Sequence, residues 1–422
     1  MFNLNYGVFK MLIRVIFFTL VIWPFTLMAQ QAEVAEFEII ESETLSLHDV
    51  VNAAMARSPD LGVVKSKEEN ADALRSRASS LFADTPEILL KMQNDHFMSN
   101  QGLREWESAL EMPLWMPGQK SASRQKARMS AQEAKAYEDL ALFNVTGQVR
   151  EQLWEIKLAN AALEQAEANL KIAEGLDRDI QKRIEAGNLP RQNELLSKKE
   201  VMTRKMELIT AQAEYIHAGK RYESVTGLNE YPAFFEEEVD HSEDKENAPI
   251  LRLYNAKVDY LDAAYNEQRN SWSSAPKLSV GVKRETASYT DQNIDSIGVS
   301  ILVPLGAGAH MKSKRSEAAL ALAEMERERE LIKREYRLAL HEAEHELEVC
   351  EAELPLSATH FEMATENLRL GQKAFDMGET NLFDFLKIQE QYFSSAAANK
   401  KIIIECKRAV ARHNQVKGVL LP

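Results

Sequence analysis

His341-Glu342-Ala343-Glu344-His345 sets two imidazoles one helical turn apart with glutamates between them. On a helix this is the spacing that presents a zinc ion and a general base to a substrate. Such chemistry needs a third protein ligand and a cleft. The heptad phase of the surrounding stretch instead puts Ala343 on a packing seam and turns His341 and His345 toward its far side. The sequence also repeats itself at a shift of 191, and the equivalent positions in the first copy are Arg150 and Trp154, which form no metal pair. The pattern therefore reads as a solvated or tunnel-facing helix surface. No catalytic, cofactor-binding or metal-ligating residue is assigned, and no cofactor is expected.

Two further clusters carry charge or thiol chemistry. Glu236, Glu237, Glu238, Asp240, Glu243, Asp244 and Glu246 form an acidic run. Metal collection is one use for it; a solvated loop is the expected one. Cys350 and Cys406 lie 28 residues on either side of Gly378, which puts them at one height if the chain turns back there. Packed helix axes lie roughly 8–10 Å apart, whereas a disulfide wants Cα atoms within about 7 Å. Two free, buried thiols are the expectation.

The elements that position these residues follow from the duplication. Leu110-Glu-Met-Pro-Leu-Trp-Met-Pro-Gly118 and Leu302-Val-Pro-Leu-Gly-Ala-Gly308 each open a long helical stretch, with Pro113 and Pro304 separated by 191. Ser58-Pro-Asp-Leu61 answers Ala248-Pro-Ile-Leu251, and the stretch from Glu185 to Leu195 answers that from Asp376 to Leu386. Three landmarks at shifts of 191, 190 and 191 mark an internal repeat. Between Gly118 and Ala186 there is no proline and only Gly147 and Gly175 interrupt, so the stretch predicts a helix of roughly 100 Å. Leu142, Val149, Ile156, Leu163 and Leu170, with Val145, Gln152, Ala159, Ala166 and Ala173 three residues after each, form a heptad seam. The shift carries that seam to Leu340, Leu347, Leu354, Phe361 and Leu368 with Ala343, Cys350, Ser357, Ala364 and Gly371. Pro355 falls inside the second long helix and should kink or loosen it.

Each long helix turns at a glycine, Gly187 or Gly378, into a returning helix of about 38 residues, Asn188 to Val225 or Asn381 to Lys417. A shorter helix precedes each, near Asp60 to Ala83 and Ile250 to Ser274. Two shorter helices could stack end to end beside one long helix, which suits a tube wall better than a compact core. Between the short and long helices, Leu278, Val280 and Val282 alternate with Ser279, Gly281 and Lys283, and Ile297 to Val303 alternate likewise. Ile88, Leu90 and Met92, then Trp106, Leu110, Met112 and Leu114, do so in the first copy. Period-two alternation predicts four strands with one apolar face each, near the length of about 9–11 residues that crosses a bilayer as a tilted strand. Four strands leave open edges that lipid cannot satisfy, and bacterial barrels begin at about eight strands, so several copies must contribute. Three copies give twelve strands.

The remaining features set the compartment. Lys10 and Arg14, an apolar Val15 to Leu27 and the small Ala29 read as a secretory signal over residues 1–29. An N-terminal acidic segment (30–43), a first repeat (44–228), an acidic linker or equatorial region (229–249) and a second repeat (250–420) follow. With 65 Asp plus Glu against 51 Lys plus Arg, the chain lacks the basic footprint of a nucleic-acid binder.

Leu45-Ser-Leu-His-Asp-Val-Val-Asn-Ala-Ala-Met-Ala-Arg-Ser-Pro-Asp-Leu61, Met112-Pro-Leu-Trp-Met-Pro-Gly-Gln-Lys120, Val303-Pro-Leu-Gly-Ala-Gly308 and Gly378-Glu-Thr-Asn-Leu-Phe-Asp-Phe-Leu386, taken in order across the duplication, resemble the TolC-like outer-membrane efflux channel family. The resemblance covers about Thr44 to Leu420. It implies a mainly α homotrimer with a long coiled-coil helical barrel in the periplasm and a 12-stranded transmembrane β-barrel, four strands from each protomer, in outer-membrane lipid. It implies a passive exit duct, docked on a periplasmic adaptor protein and an inner-membrane pump of the RND type. The Trp115-Met-Pro-Gly-Gln-Lys120 version resembles heavy-metal efflux members. The periplasmic tip turns would be Gly187 with Asn188, and Gly378 with Glu379 and Thr380. The pore constriction would comprise Asp384, Lys387 and Asn193. The alternative reading is a soluble periplasmic coiled-coil adaptor, for which the paired strands would have no use.

Overall fold

A computed structural model describes residues 39–241, 247–271, 274–305 and 308–419. The signal reading of residues 1–29, residues 30–38 of the acidic segment and the linker residues Glu243, Asp244 and Glu246 lie outside the described residues. No helix among the described residues is long and apolar enough to cross a membrane.

The order of elements is β1 (Ile40–Ser42), α1 (Leu47–Arg57), α2 (Asp60–Ser79), β2 (Glu87–Asn94), β3 (Arg104–Pro113), α3 (Gln119–Glu185), α4 (Gln192–Thr226), β4 (Glu230–Pro232), α5 (Pro249–Arg269), β5 (Lys277–Thr286), β6 (Ile294–Leu302), α6 (Gly308–Asp376) and α7 (Leu382–Lys417). α3 has 67 residues and α6 has 69. The opening helical stretch is two helices. A capping box of Ser46 and Asp49 starts α1, and Pro59, which cannot continue a helix hydrogen-bond ladder, begins the turn into α2.

The helices form a wall of four columns. α2 and α4 both pack on one side of α3; α5 and α7 both pack on its other side; α6 packs on α5 and α7. The column order is thus α2 with α4, then α3, then α5 with α7, then α6. The predicted seams hold these columns together. In α3, Val145, Val149, Ile156, Ala166 and Ala173 are buried and no member of the predicted seam is exposed. In α6, Leu340, Ala343, Cys350 and Gly371 are buried, while Leu354 faces solvent. Pro355 does not end α6, which runs on to Asp376. Gly147 leaves room for the Gln415 side chain of α7: a Cβ there would stand 2.6 Å from Gln415 Nε2, which donates to the Phe143 carbonyl at 2.9 Å.

Above the helices lies a four-stranded antiparallel sheet in the order β2-β3-β5-β6. Its strand order repeats the column order α2-α3-α5-α6, so no connection crosses another. The register aligns Ile88, Leu110, Val280 and Val299 across the sheet, and Leu90, Ser108, Val282 and Ile297 in the next row.

Two predictions are corrected. Cys350 and Cys406 are joined as a disulfide, their Cα atoms 5.4 Å apart. The helix-axis distance was the wrong measure. Cα atoms sit about 2.3 Å off the axis, so two residues facing each other across a seam approach well inside the axial spacing. The acidic run is also not a solvated loop throughout. Glu237 is buried and paired with Arg150 of α3 at 2.8 Å, and the segment around it lies as a strap across α3 and α7. The strap is preceded by β4, which pairs in parallel with β1, joining the N-terminal segment to the linker.

Candidate functional site: an open-edged wall and its tip

The site of interest is a surface. One face of the sheet, formed by Ile88, Leu90, Met92, Trp106, Leu110, Val280, Val282, Ile297, Val299 and Ile301, is apolar and exposed. The opposite face carries a ladder of ion pairs. Lys277 bridges Glu87 and Glu111 at 2.6 and 3.0 Å, Lys283 reaches Glu105 and Glu285 at 3.2 and 2.6 Å, and Lys91 reaches Glu105 at 3.7 Å. One apolar face and one charged face on the same strands is the arrangement of a barrel wall between lipid and a wet lumen. β2 and β6 are exposed along their whole length, and their outer backbone edges have no strand partner among the described residues.

The helical wall ends at the same two sides. α4 carries a second stripe, facing away from α3. Leu195, Met202 and Ile209 are exposed 8, 15 and 22 residues beyond Gly187. α6 carries one facing away from α7. Leu370, Met363 and Leu356 are exposed 8, 15 and 22 residues before Gly378. Val349, exposed, extends the α6 series at 29 residues, and Ile216, half-buried, stands at the same count on α4. Counted along the chain from the tip glycines, the two outer edges therefore present large apolar side chains at the same intervals, with the seven-residue spacing that coiled-coil packing uses.

At the tip the two hairpins turn alike. Gly187 and Gly378 share a φ of 76°, in the left-handed region that favours glycine. Asn188 N–H donates to the Arg183 carbonyl at 2.8 Å, and Glu379 N–H donates to the Ala374 carbonyl at 2.9 Å. Both are six-to-one closures that satisfy the last helical carbonyls. Thr380 is half-buried and leads to Asn381, whose side chain accepts from Asp384 N–H at 2.9 Å and caps α7. Asp384 and Lys387 are exposed and Asn193 is half-buried. No ion pair joins Asp384 to Lys387 among the described residues; the Asp384 carboxylate instead accepts from Asn381 Nδ2 at 2.8 Å.

Residues that sequence reasoning missed hold the tip together. Leu176 and Ile180 of α3 pack with Phe375 of α6 and with Leu382 and Phe385 of α7. Arg183 lies over the Phe375 ring, 5.1 Å from its centroid, and pairs with Asp376. Arg204 of α4, buried over Phe393, pairs with Glu200, Glu207 and, across to α7, Glu390. The seam periodicity was a signal for the apolar members. Nothing in the sequence matched Arg183 to Asp376. His341 and His345 are both exposed, with rings stacked at 6.5 Å between centroids.

No protein-family model matches the sequence, and no curated protein sequence matches it. Solved structures do. The CmeC outer membrane channel of Campylobacter jejuni aligns over 88% of this chain and 85% of its own, with a TM-score of 0.71 at 13% identity. The outer membrane protein VceC of Vibrio cholerae aligns over 88% of this chain and 96% of its own, with a TM-score of 0.70 at 12% identity. The MtrE outer membrane channel of Neisseria gonorrhoeae, in its open state, aligns over 88% of each chain, with a TM-score of 0.69 at 14% identity. The chain has the TolC-like outer-membrane channel fold. At these identities the agreement lies in the path of the backbone, so the side chains of this chain carry their own argument.

Proposed function

We propose that this chain is the outer-membrane exit duct of a tripartite export system. Three copies close their four-stranded sheets into a 12-stranded barrel in outer-membrane lipid and their four-column walls into a helical tube in the periplasm. The duct is passive and performs no chemistry. An inner-membrane pump hands substrate to it through a periplasmic adaptor. The resemblance points to a pump of the RND type, and heavy-metal cations are the substrate class to test first.

The observation that carries this reading is the coincidence of edges. β2 and the α2/α4 column bound one side, β6 and α6 bound the other, and the apolar residues on α4 and α6 fall at the same sequence distances from the tip glycines. In lipid each unpaired backbone group costs several kcal/mol, so a single copy has no stable way to present this sheet to a membrane. A soluble adaptor would have no reason to carry a sheet apolar on one face and ion-paired on the other.

Asp384, Lys387 and Asn193 are proposed to line the narrow periplasmic end. Three exposed carboxylates around one axis attract cations, and Lys387, about one turn on, tempers that field. In planar bilayers Asp384→Ala should raise conductance and reduce cation preference, and Lys387→Asp should increase block by divalent cations. Unchanged conductance, selectivity and block would remove these residues from the constriction. The duct itself is tested by mass: in detergent the purified protein should be a trimer that forms channels. A stable monomer with its full β signal would overturn the reading.

A further inference from the structure

The band where the sheet meets the helices is basic in an acidic chain. The whole chain carries a formal charge of −14. Yet from Leu114 to Gln132, across the opening of α3, Lys120, Arg124, Lys126 and Arg128 stand without a single carboxylate. From Ser296 to Ser316, across the end of β6 and the opening of α6, Lys312, Lys314 and Arg315 do the same. At this end Arg77 lies in the last turn of α2 and Arg269 closes α5. Cations gain nothing from the dipole at a helix N-terminus, so the stability of α3 and α6 does not account for them.

Three of these cations are engaged inside the protomer. Lys120 donates to the Ser80 carbonyl at 2.7 Å, Lys126 pairs with the buried Glu267 at 3.0 Å, and Arg315 donates to the carbonyls of Gln268 and Arg269 at 3.3 and 3.0 Å. These contacts tie the openings of α3 and α6 to the ends of α2 and α5, so the four helix ends form one band next to the last row of the sheet, Pro113, Lys277 and Leu302. The other six, Arg77, Arg124, Arg128, Arg269, Lys312 and Lys314, are exposed, and none is paired with a carboxylate among the described residues. Along the chain, exposed Leu81, Val303 and Leu305 fall between the strands and this band. The far end of the sheet has no such surplus. Arg104 is exposed there, 6.0 Å from the centroid of the Tyr289 ring, but Arg284 is paired with Asp295 at 2.6 and 2.8 Å and Asp291 adds an exposed carboxylate.

We propose that the basic band binds anionic phospholipid headgroups in the periplasmic leaflet of the outer membrane. The inference rests on the reading of the sheet as a barrel wall in that membrane. With the apolar face in hydrocarbon, Leu81, Val303 and Leu305 enter the edge of the leaflet, and the unpaired guanidinium and ammonium groups come to the depth of the lipid phosphates. Cations gathered beside a membrane span attract anionic lipid, and each adds to the attraction. A zwitterionic headgroup offers the same phosphate with its charge cancelled by its own ammonium, so the band prefers lipid with net negative charge. Phosphorylated glycolipid of the outer leaflet shares the chemistry, but the band is at the helical end of the sheet and not at the loop end.

Lipid counting by mass spectrometry tests it. The full-length, delipidated protein is equilibrated in detergent micelles holding equal phosphatidylglycerol and phosphatidylethanolamine, then washed. Phosphatidylglycerol should be retained about tenfold over phosphatidylethanolamine, and the preference should shrink in high salt. Arg124→Gln/Lys312→Gln/Lys314→Gln should remove most of the preference, and Arg77→Gln/Arg269→Gln, on the other two helices, should reduce it independently. Arg104→Gln at the far end should leave it unchanged. Without lipid, the melting temperature of the triple variant should match that of the parent, because its side chains hold no carboxylate of the protomer; a fall would assign them to the fold and overturn the proposal. Equal retention of the two lipids would overturn it. So would loss of retention in Arg104→Gln alone, with lipid A as the better probe, which would put the phosphate site in the outer leaflet. An unchanged lipid preference in the triple variant, with altered ion selectivity in planar bilayers, would put these cations in the lumen and contradict the proposal. A channel-forming trimer without lipid preference removes this inference alone; a monomer that forms no channel yet retains phosphatidylglycerol removes the duct alone.

Discussion

α3 and α6 hold the same place in the two repeats, differ by two residues in length and share one seam, yet they live in different surroundings. Three equivalent pairs make the contrast concrete. Gly147 receives Gln415 of α7, whereas Leu338 is exposed. Arg150, 4% exposed, bonds Glu237, Gln415 and the Val419 carbonyl, whereas His341 points to solvent. Trp154, 2% exposed, packs edge-on against Phe235, its ring centroid 5.0 Å away, whereas His345 meets only His341 among ring contacts of the described residues. One helix is an interior column and the other an edge. The duplication preserved the seam that each hairpin needs and let the opposite face diverge: on α3 it is covered within the protomer, and on α6 it is exposed.

The contrast breaks most visibly under charge. Ile156→Asp buries an unpaired carboxylate in α3 and should cost several kcal/mol, read as loss of folded protein in thermal melts. Leu347→Asp, at the equivalent but half-buried position, should also destabilise, by less. Equal and negligible effects would show that the shared seam is misplaced. Next in size is the strap. Arg150→Ala leaves Glu237 buried without its cation and should cost about 3–5 kcal/mol, whereas His341→Ala should stay within about 0.5 kcal/mol; similar melting shifts for both would erase the distinction between column and edge. Met363→Glu, on the exposed stripe, should leave the helical signal of the chain intact while light scattering in detergent shows loss of assembly.

The smallest effect concerns His413, buried on α7 beneath the strap. Burial, then the Lys417 charge, disfavours its protonated form, against weaker pulls from Asn414, Glu344 and Asp240, so its pKa lies below the ordinary 6.5. A depressed value means that the folded state binds fewer protons than the unfolded one. The stability it contributes is complete above about pH 6.5 and is lost as pH falls through the lowered value. Melting temperature should therefore decline on acidification from that point, and His413→Gln should flatten the slope.

Much of the architecture was legible because its signals are local. The heptads around Val149 and Leu340, the glycines at 187 and 378 and the alternation at Leu278 to Val282 each lie within one short window. What stayed hidden depends on distant partners. β1 and β4 are three residues each and carry no alternation. Glu237 looks solvated until Arg150 is folded against it, although Tyr231 and Phe235 just ahead of the acidic run, both buried, were a hint that the segment packs. The disulfide was missed through the geometry of axes and Cα atoms. At the candidate site, the tip turns were readable from Gly187 and Gly378. The ties from Arg183 to Asp376 and from Arg204 to Glu390 were not, because any of many charges could have met.

The most direct test of the open edge is a cross-link between its matched layers. Met202→Cys and Met363→Cys, combined in one chain, lie fifteen residues from Gly187 and Gly378 on opposite edges of the protomer. Mild oxidation of the detergent-purified protein should give covalent dimers and trimers linked between positions 202 and 363, with far less linkage when Met363→Cys is paired with Ile209→Cys, one layer away. Absence of any intermolecular link, or equal linkage in both pairings, would contradict the claim that α6 is an edge built to meet α4 of the next copy.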